Sequence, residues 1–303
     1  MAWHEMLDKI DWLRGTSYDV EELTGGLTNV NLKVTHPGGI CVVRVAQAGS
    51  ELLAIDHDHE HHNSVAAAEA GVGAPVIDYL PDAGLAGLLV VGYLEGRTFT
   101  NADLRSGDHL DRVARAVRQL HSGPRFSSDF DMFTIQSAYL KVVTEHGFRL
   151  PDRYLEFVPQ VEQIRRAFAV REELTVPCNN DLLAGNLIDD GEKIWLIDYE
   201  YSGNNEATFE LGNLWSEAGL TVDQLDELVA AYDGTLRRHR VARARLWGLM
   251  AKYGWTLWGS IQDGVSSFDF DFWEWAMEKY DRAVAEFEGP YFDRLLDEAA
   301  GDA

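Results

Sequence analysis

The chain has 303 residues, 46% of them hydrophobic, which suits two lobes of ordinary domain size and excludes a disordered protein. Its formal net charge of -24, from 50 acidic and 26 basic residues, disfavours nucleic acid and anionic membranes as partners and attracts cations. There is no apolar run of about 18 residues to insert in a membrane, no signal-peptide pattern in MAWHEMLDKIDWLRG, and too few cysteines (Cys41 and Cys178) for a disulfide scaffold, so a reduced, cytoplasmic protein is expected.

Residues 18–45 alternate apolar and polar side chains around Gly25-Gly26 and Pro37-Gly38-Gly39, the pattern of three antiparallel strands. A helix is expected over about 55–70, then strand-like runs PVIDYL at 75–80 and GLLVVGYLEG at 87–96. Beyond them the periodicity turns helical. Residues 101–121 start at a candidate cap, Asn101, and stop before Ser122-Gly123-Pro124. Residues 154–173, 221–236, 240–262 and 271–289 also read as helices. The expected organisation is a sheet-rich N-terminal lobe, 1–95, joined without a long linker to a helical lobe, 96–303. Neither an internal repeat nor a signal for an oligomeric state is present.

One convincing strand pair interrupts the helical half. In CNNDLLAGNLIDDGEKIWLIDYEY, residues 178–201, Leu187-Ile188 and Ile194–Ile197 flank the turn Asp189-Asp190-Gly191. Such a hairpin returns Asp198 towards Asp181 and Asn186, and three hard oxygen ligands at its mouth suit Mg²⁺. The five-residue step from Asp181 to Asn186 is also that of a kinase catalytic loop, with Asp198 where those enzymes hold magnesium. Upstream come a Gly-rich turn after a strand, a basic residue on a later strand, Arg44, and an acidic residue on a helix, Glu60. Each is common alone; the order is harder to obtain by chance.

With these motifs the chain resembles the choline/ethanolamine kinases, in the aminoglycoside-phosphotransferase-like branch of the protein-kinase fold. The specific matches are NDLLAGN and IDYEYS continuing into NNEATFELGNLWSE, and WTLWGSIQDGVSSFDFDFWEWAMEKY at 255–280. GGLTNVNLKV, VVRV and EHHNSVAAAEAGVGAPV are weaker, and the likeness spans residues 20–285. The resemblance implies a two-lobed α+β fold with a small antiparallel-sheet N-lobe, a mostly helical C-lobe and ATP between them. It implies transfer of the γ-phosphoryl group of MgATP to the hydroxyl of a small cationic alcohol, choline first and ethanolamine second.

Carried over by motif, Asp181 is the catalytic aspartate, and Asn186, Asp198 and Glu200 hold magnesium. Gly25, Gly26, Thr28 and Asn29 approach the phosphates, Arg44 grips them, Glu60 orients Arg44, and Tyr93 and Leu94 in GYLEG meet adenine. Glu217, Trp255, Trp258, Phe272 and Trp275 form the pocket for the substrate cation, while Trp247 and Trp273 are core. His121 packs beneath the catalytic loop. Asn179 stands where the family carries histidine, so a less rigid loop is expected. His57 and His61 share a helical face that could bind zinc, but no third ligand is evident and no metal is assigned. Plainer readings stay open: a simple hairpin turn at Gly25-Gly26, exposed carboxylates at Glu60 and Glu200, and core packing for the aromatic residues. Alternative functions are a kinase of an aminoglycoside, amino sugar or thiamine, and a pseudokinase that senses nucleotide or amine.

Overall fold

The computed structural model describes residues 2–24, 26–46, 50–83 and 87–301. Its N-terminal part runs α1 (Ala2–Leu7), β1 (Asp19–Leu23), β2 (Val30–His36), β3 (Gly39–Val45), α2 (His57–Glu69), β4 (Val76–Leu80) and β5 (Leu88–Gly92). The strands form one antiparallel sheet in the order β1-β2-β3-β5-β4. Period-two alternation decides its faces. Leu32, Val34, Cys41, Val43, Leu88 and Val90 are wholly buried against Leu7, Ile10 and Leu13, each large apolar side chain contributing about 1.5–3 kcal/mol. Arg44, between Val43 and Val45, therefore emerges on the opposite face, towards α2.

The second lobe continues with β6 (Arg97–Thr98), α3 (Asn101–Arg105), α4 (Leu110–His121), α5 (Met132–His146), α6 (Val158–Val170), β7 (Thr175–Cys178), β8 (Leu187–Asp189), β9 (Ile194–Leu196) and β10 (Gly203–Glu206). It ends in α7 (Ala207–Ala218), α8 (Val222–Asp233), α9 (Arg238–Val265), α10 (Phe272–Phe287) and α11 (Phe292–Ala300). The helix expected over 101–121 is two helices. Gly107, at φ +83°, breaks it. Its cap is Thr100 rather than Asn101, in a reciprocal capping box with Asp103. The expected 154–173 helix opens as a 3₁₀ turn, Tyr154–Phe157. The hairpin β8-β9 forms as expected and gains β6 at its edge, but a second antiparallel pair, β7-β10, lies beside it. None of the described helices is long and apolar enough to cross a membrane.

Helix α9 is the axis of this lobe, packed against α5, α7, α10 and α11. It crosses α7 backbone to backbone. A Cβ at Gly212 would collide with the Ala244 carbonyl oxygen, and one at Gly248 would lie 2.6 Å from that of Gly212. Deeper along α9, Arg243 is 1% exposed and forms a bidentate pair with Glu206, both contacts at 2.5 Å. Its Nη1 also donates to the Arg171 carbonyl (2.8 Å), and Trp247 Nε1 donates to Glu206 (2.8 Å). Every strong polar group there has a partner, as burial demands.

Candidate active site

β7 delivers the chain into the loop carrying Asp181, and the β8-β9 hairpin returns it to Asp198. Ile197 N–H donates to the Asn186 carbonyl (3.0 Å), so Asn186 and Asp198 stand side by side at the hairpin mouth. Asn180 and Asp198 adopt left-handed backbone, φ 66° and 65°, a conformation non-glycine residues hold only when their surroundings fix it. Here they do. The Asn180 amide donates to the carbonyls of Tyr201 (3.0 Å) and Gly203 (3.2 Å) and accepts from Asn205 (2.9 Å).

The expectation of a loosened loop at Asn179 is corrected. Its side chain is fully buried, accepts from Asp181 N–H (3.1 Å), and donates to the carbonyls of Ile197 (3.1 Å) and Asp198 (2.7 Å). The amide thus ties the two aspartates together. Glu210, on α7, completes the support by accepting from the backbone N–H groups of Asn179 (2.7 Å) and Asn180 (2.9 Å). His121 Nε2 lies 3.2 Å from the same carboxylate and its Nδ1 2.8 Å from the Tyr232 hydroxyl, beneath the loop as expected. Sequence reasoning missed Glu210. The signal available was a carboxylate flanked by Phe209 and Leu211, because a buried charge implies fixed partners.

Above the loop, charge accumulates around Arg44. Its Nε is 2.9 Å from Glu60, and its Nη2 is 2.6 Å from Asp198 and 2.8 Å from Glu200. Glu60 is 3% exposed and also meets His57 Nδ1 at 2.9 Å, so it is no ordinary surface residue. Glu200 is buried too and accepts from Thr28 Oγ1 (2.8 Å) and Asn29 Nδ2 (2.7 Å). The donors expected for phosphate therefore hold the glycine turn down on the cleft floor. Gln262 of α9 adds a bond to the Leu27 carbonyl (3.1 Å). Gly26 belongs to this turn because a Cβ there would meet the Asn29 carbonyl at 2.6 Å; Gly25 lies outside the described residues.

The Asp181 carboxylate accepts no hydrogen bond from the described residues. Burial, then the charges of Asp198, Glu200 and Glu217, hold it well above the usual carboxylate range, with Lys279 opposing. Glu200 is pushed up to about 7 by burial and Asp198, against the pull of Arg44. Asn186 donates its amide to the Asp181 carbonyl (2.8 Å), leaving Oδ1 without a partner among the described residues. Tyr93 and Leu94 follow β5 into the second lobe, half buried, with Tyr93 N–H 3.4 Å from the Ile40 carbonyl. His61, to which no metal is assigned, stacks on Tyr79, ring centroids 4.3 Å apart.

The aromatic residues gather on α9 and α10. The Trp258 ring lies 5.1 Å from that of Trp275 and 5.8 Å from that of Phe272, and its Nε1 donates to the Tyr201 hydroxyl (2.8 Å). Trp255 packs on Tyr201 (5.0 Å) and donates to Asn213 Oδ1 (3.2 Å). Trp247 is core, but Trp273 is only half buried, under the Arg149 guanidinium at 3.9 Å. Glu217 is not left free for a substrate cation. Both its oxygens meet the buried Lys279 ammonium, at 2.5 and 2.6 Å, and that ammonium lies 4.2 Å from the Trp275 ring centre. Lys279 is the second residue that sequence reasoning missed.

A small antiparallel sheet over a mostly helical lobe, with this catalytic loop and hairpin at their junction, defines a protein-kinase-like small-molecule kinase. The family model for choline/ethanolamine kinase matches residues 20–235, and the chain belongs to that family. A choline/ethanolamine kinase family protein from Mesorhizobium loti is similar at 30% identity and TM-score 0.85, covering 99% of this chain and 98% of its own. Protein LicA of Haemophilus influenzae is 26% identical over 280 residues, 87% of this chain and 78% of LicA. The choline kinase LicA of Streptococcus pneumoniae, at 21% identity, TM-score 0.78 and coverage of 94% and 98%, shares the fold.

Proposed function

We propose that the enzyme transfers the γ-phosphoryl group of ATP, with Mg²⁺, to the hydroxyl of choline, and of ethanolamine less well. The carrying observation is the excess of carboxylates around one guanidinium: Glu60, Asp198 and Glu200 meet Arg44, and Asp181 stands beside them with no ion pair of its own among the described residues, only the more distant Lys279 opposing its repulsion. Like charges are crowded in this way where a multivalent cation is to be held. Asp198 and Asn186 would hold Mg²⁺ through oxygens without a partner among the described residues, with Glu200 behind them for a second ion. Held there, the metal would supply positive charge to offset the charge that develops on the phosphate oxygens. Arg44, fixed by Glu60, adds a guanidinium for the phosphates, and Gly26, Thr28 and Asn29 form the turn above them. Tyr93 and Leu94 form the hinge that meets adenine. Asp181, with its affinity for protons raised, orients the acceptor hydroxyl and takes its proton.

Lys279 bears on which alcohol is bound. A primary ammonium entering the aromatic pocket needs hydrogen-bond acceptors, yet Glu217 is taken by Lys279, Tyr201 by Trp258 and Asn213 by Trp255. A trimethylammonium group has no N–H to satisfy and is held by the ring faces of Trp258 and Trp275, beside Trp255 and Phe272. Leaving one donor unpaired costs about 1–3 kcal/mol, so choline is expected to be preferred by roughly tenfold or more. The test is phosphoryl transfer to choline, ethanolamine, thiamine and an aminoglycoside, with and without Mg²⁺. Choline with the highest kcat/KM supports the reading. A sugar or thiamine ahead of it changes the substrate class, and no metal-dependent turnover with any of them makes the protein a pseudokinase.

A further inference from the structure

Behind the acceptor wall, where the end of α7 meets α9, α10 and α11, lies a cavity of about 310 Å³ lined by residues that take no part in the cleft. That is the size of a small-ligand pocket. Its polar lining is unusual for so acidic a chain: three cations, Arg245, Lys252 and Arg282, and one carboxylate, Glu286. Arg245 Nε is 3.0 Å from Glu286, and Lys252 Nζ is 3.4 Å from the other oxygen of the same group. Arg282 donates to the Ser216 carbonyl (2.5 Å) and lies 3.7 Å from the exposed Glu278. The nearby Glu217 is already bound to Lys279.

The lining therefore carries more positive than negative charge, and Lys252 is only 3% exposed. Burial, against the pull of Glu286 and with the push of Arg282, brings its ammonium down to about 8. Buried charge without a matching partner is strongly unfavourable. Flat walls complete the cavity, with the Trp215 ring 4.8 Å from Lys252 Nζ and the Tyr291 ring 5.7 Å from the Arg245 guanidinium.

We propose that this cavity is a second binding site, separate from the kinase cleft, for a small organic anion bearing a phosphate or carboxylate on a compact apolar body. The anion matches the surplus charge, Arg245 and Arg282 offer N–H groups to its oxygens, and the rings cover its apolar part. Titration calorimetry with phenyl phosphate, phenylacetate and inorganic phosphate at constant ionic strength tests this. Saturable binding is expected, tighter for phenyl phosphate than for inorganic phosphate, and weakened about tenfold or more in Arg245→Gln, the loss of one charge-assisted bond. Parallel titration of Arg44→Gln separates the two sites. Binding that survives Arg245→Gln but disappears in Arg44→Gln belongs to the cleft and overturns the proposal, as does the absence of saturable binding in the wild type. Should Arg245→Gln fold poorly, the indole N–H resonance of Trp215 in the wild type is the second readout. It is expected to shift on saturation with phenyl phosphate, and an unmoved signal overturns the assignment.

Discussion

Two buried charge clusters in this molecule have opposite balance. Around Arg243 the account closes: one guanidinium faces one carboxylate, Glu206, in bidentate contact, with Trp247 and the Arg171 carbonyl using the remaining groups. Around Arg44 it does not close, because Glu60, Asp198 and Glu200 share a single guanidinium while the Asp181 carboxylate has no hydrogen bond or ion pair among the described residues. A matched pair holds α9 to β10 and serves the fold. A mismatched cluster opposes the fold and is kept for chemistry. The two clusters should accordingly respond to mutation in opposite senses.

The largest effect is expected from Asp181→Asn, which removes the proposed proton acceptor and should lower kcat by about 10²–10⁴. Because it also removes a repelled charge, its melting temperature should rise and nucleotide affinity persist. Turnover close to wild type in single-turnover assays would exclude Asp181 from the reaction. Arg243→Ala should do the reverse, destabilising by about 3–5 kcal/mol because the largely buried Glu206 loses its bidentate counter-charge. Denaturant unfolding measures this, and the folded fraction should turn over with an unchanged KM. A stable Arg243→Ala protein would break the contrast between the clusters.

Lys279→Met sharpens the comparison at its border, where a matched pair lies inside the site. Releasing Glu217 should let a primary ammonium bind, lowering the choline-to-ethanolamine ratio of kcat/KM about tenfold. An unchanged ratio would mean that Glu217 does not face the acceptor. The smallest effect concerns pH. Glu200, raised from 4.5 to about 7, favours the folded state as the neutral acid. That contribution is complete below about 4.5 and is lost as pH rises through about 7. Without divalent ions the melting temperature should fall between pH 5 and 8, and Mg²⁺ should restore about 2–4 °C at pH 8 and less at pH 6. Parallel curves with and without Mg²⁺ would place the metal elsewhere.

Much of the cleft was legible because its chemistry is local in sequence. Asp181, Asn186 and Asp198 sit around one hairpin, and period-two alternation in 30–45 is enough to place Arg44 on a strand. What escaped was the layer beneath. Helix α7 is buried on nearly every side, so it has no polar face and no amphipathic period to read. Glu210 was hidden with it. Lys279 escaped for another reason: its partner, Glu217, is 62 residues away, and no local pattern announces a salt bridge over that distance. Asn179 was misread because a departure from the family's histidine looked like a loss, whereas an amide can accept from Asp181 and donate to Ile197 and Asp198 at once.

The glycine crossing of α7 and α9 joins parts that sequence keeps apart. Helix α7 carries Glu210, which supports the catalytic loop, and also Glu217, while α9 carries Trp255 and Trp258. With Gly212 and Gly248 in backbone contact, no side chain between them can give way to let the helices slide. The spacing from the Asp181 loop to the aromatic wall of Trp255 and Trp258 is therefore set by the main chain, as a gauge block sets a gap. A lineage changing its acceptor alcohol on this frame would alter the groups lining the wall, such as Lys279, and leave the width between the helices untouched.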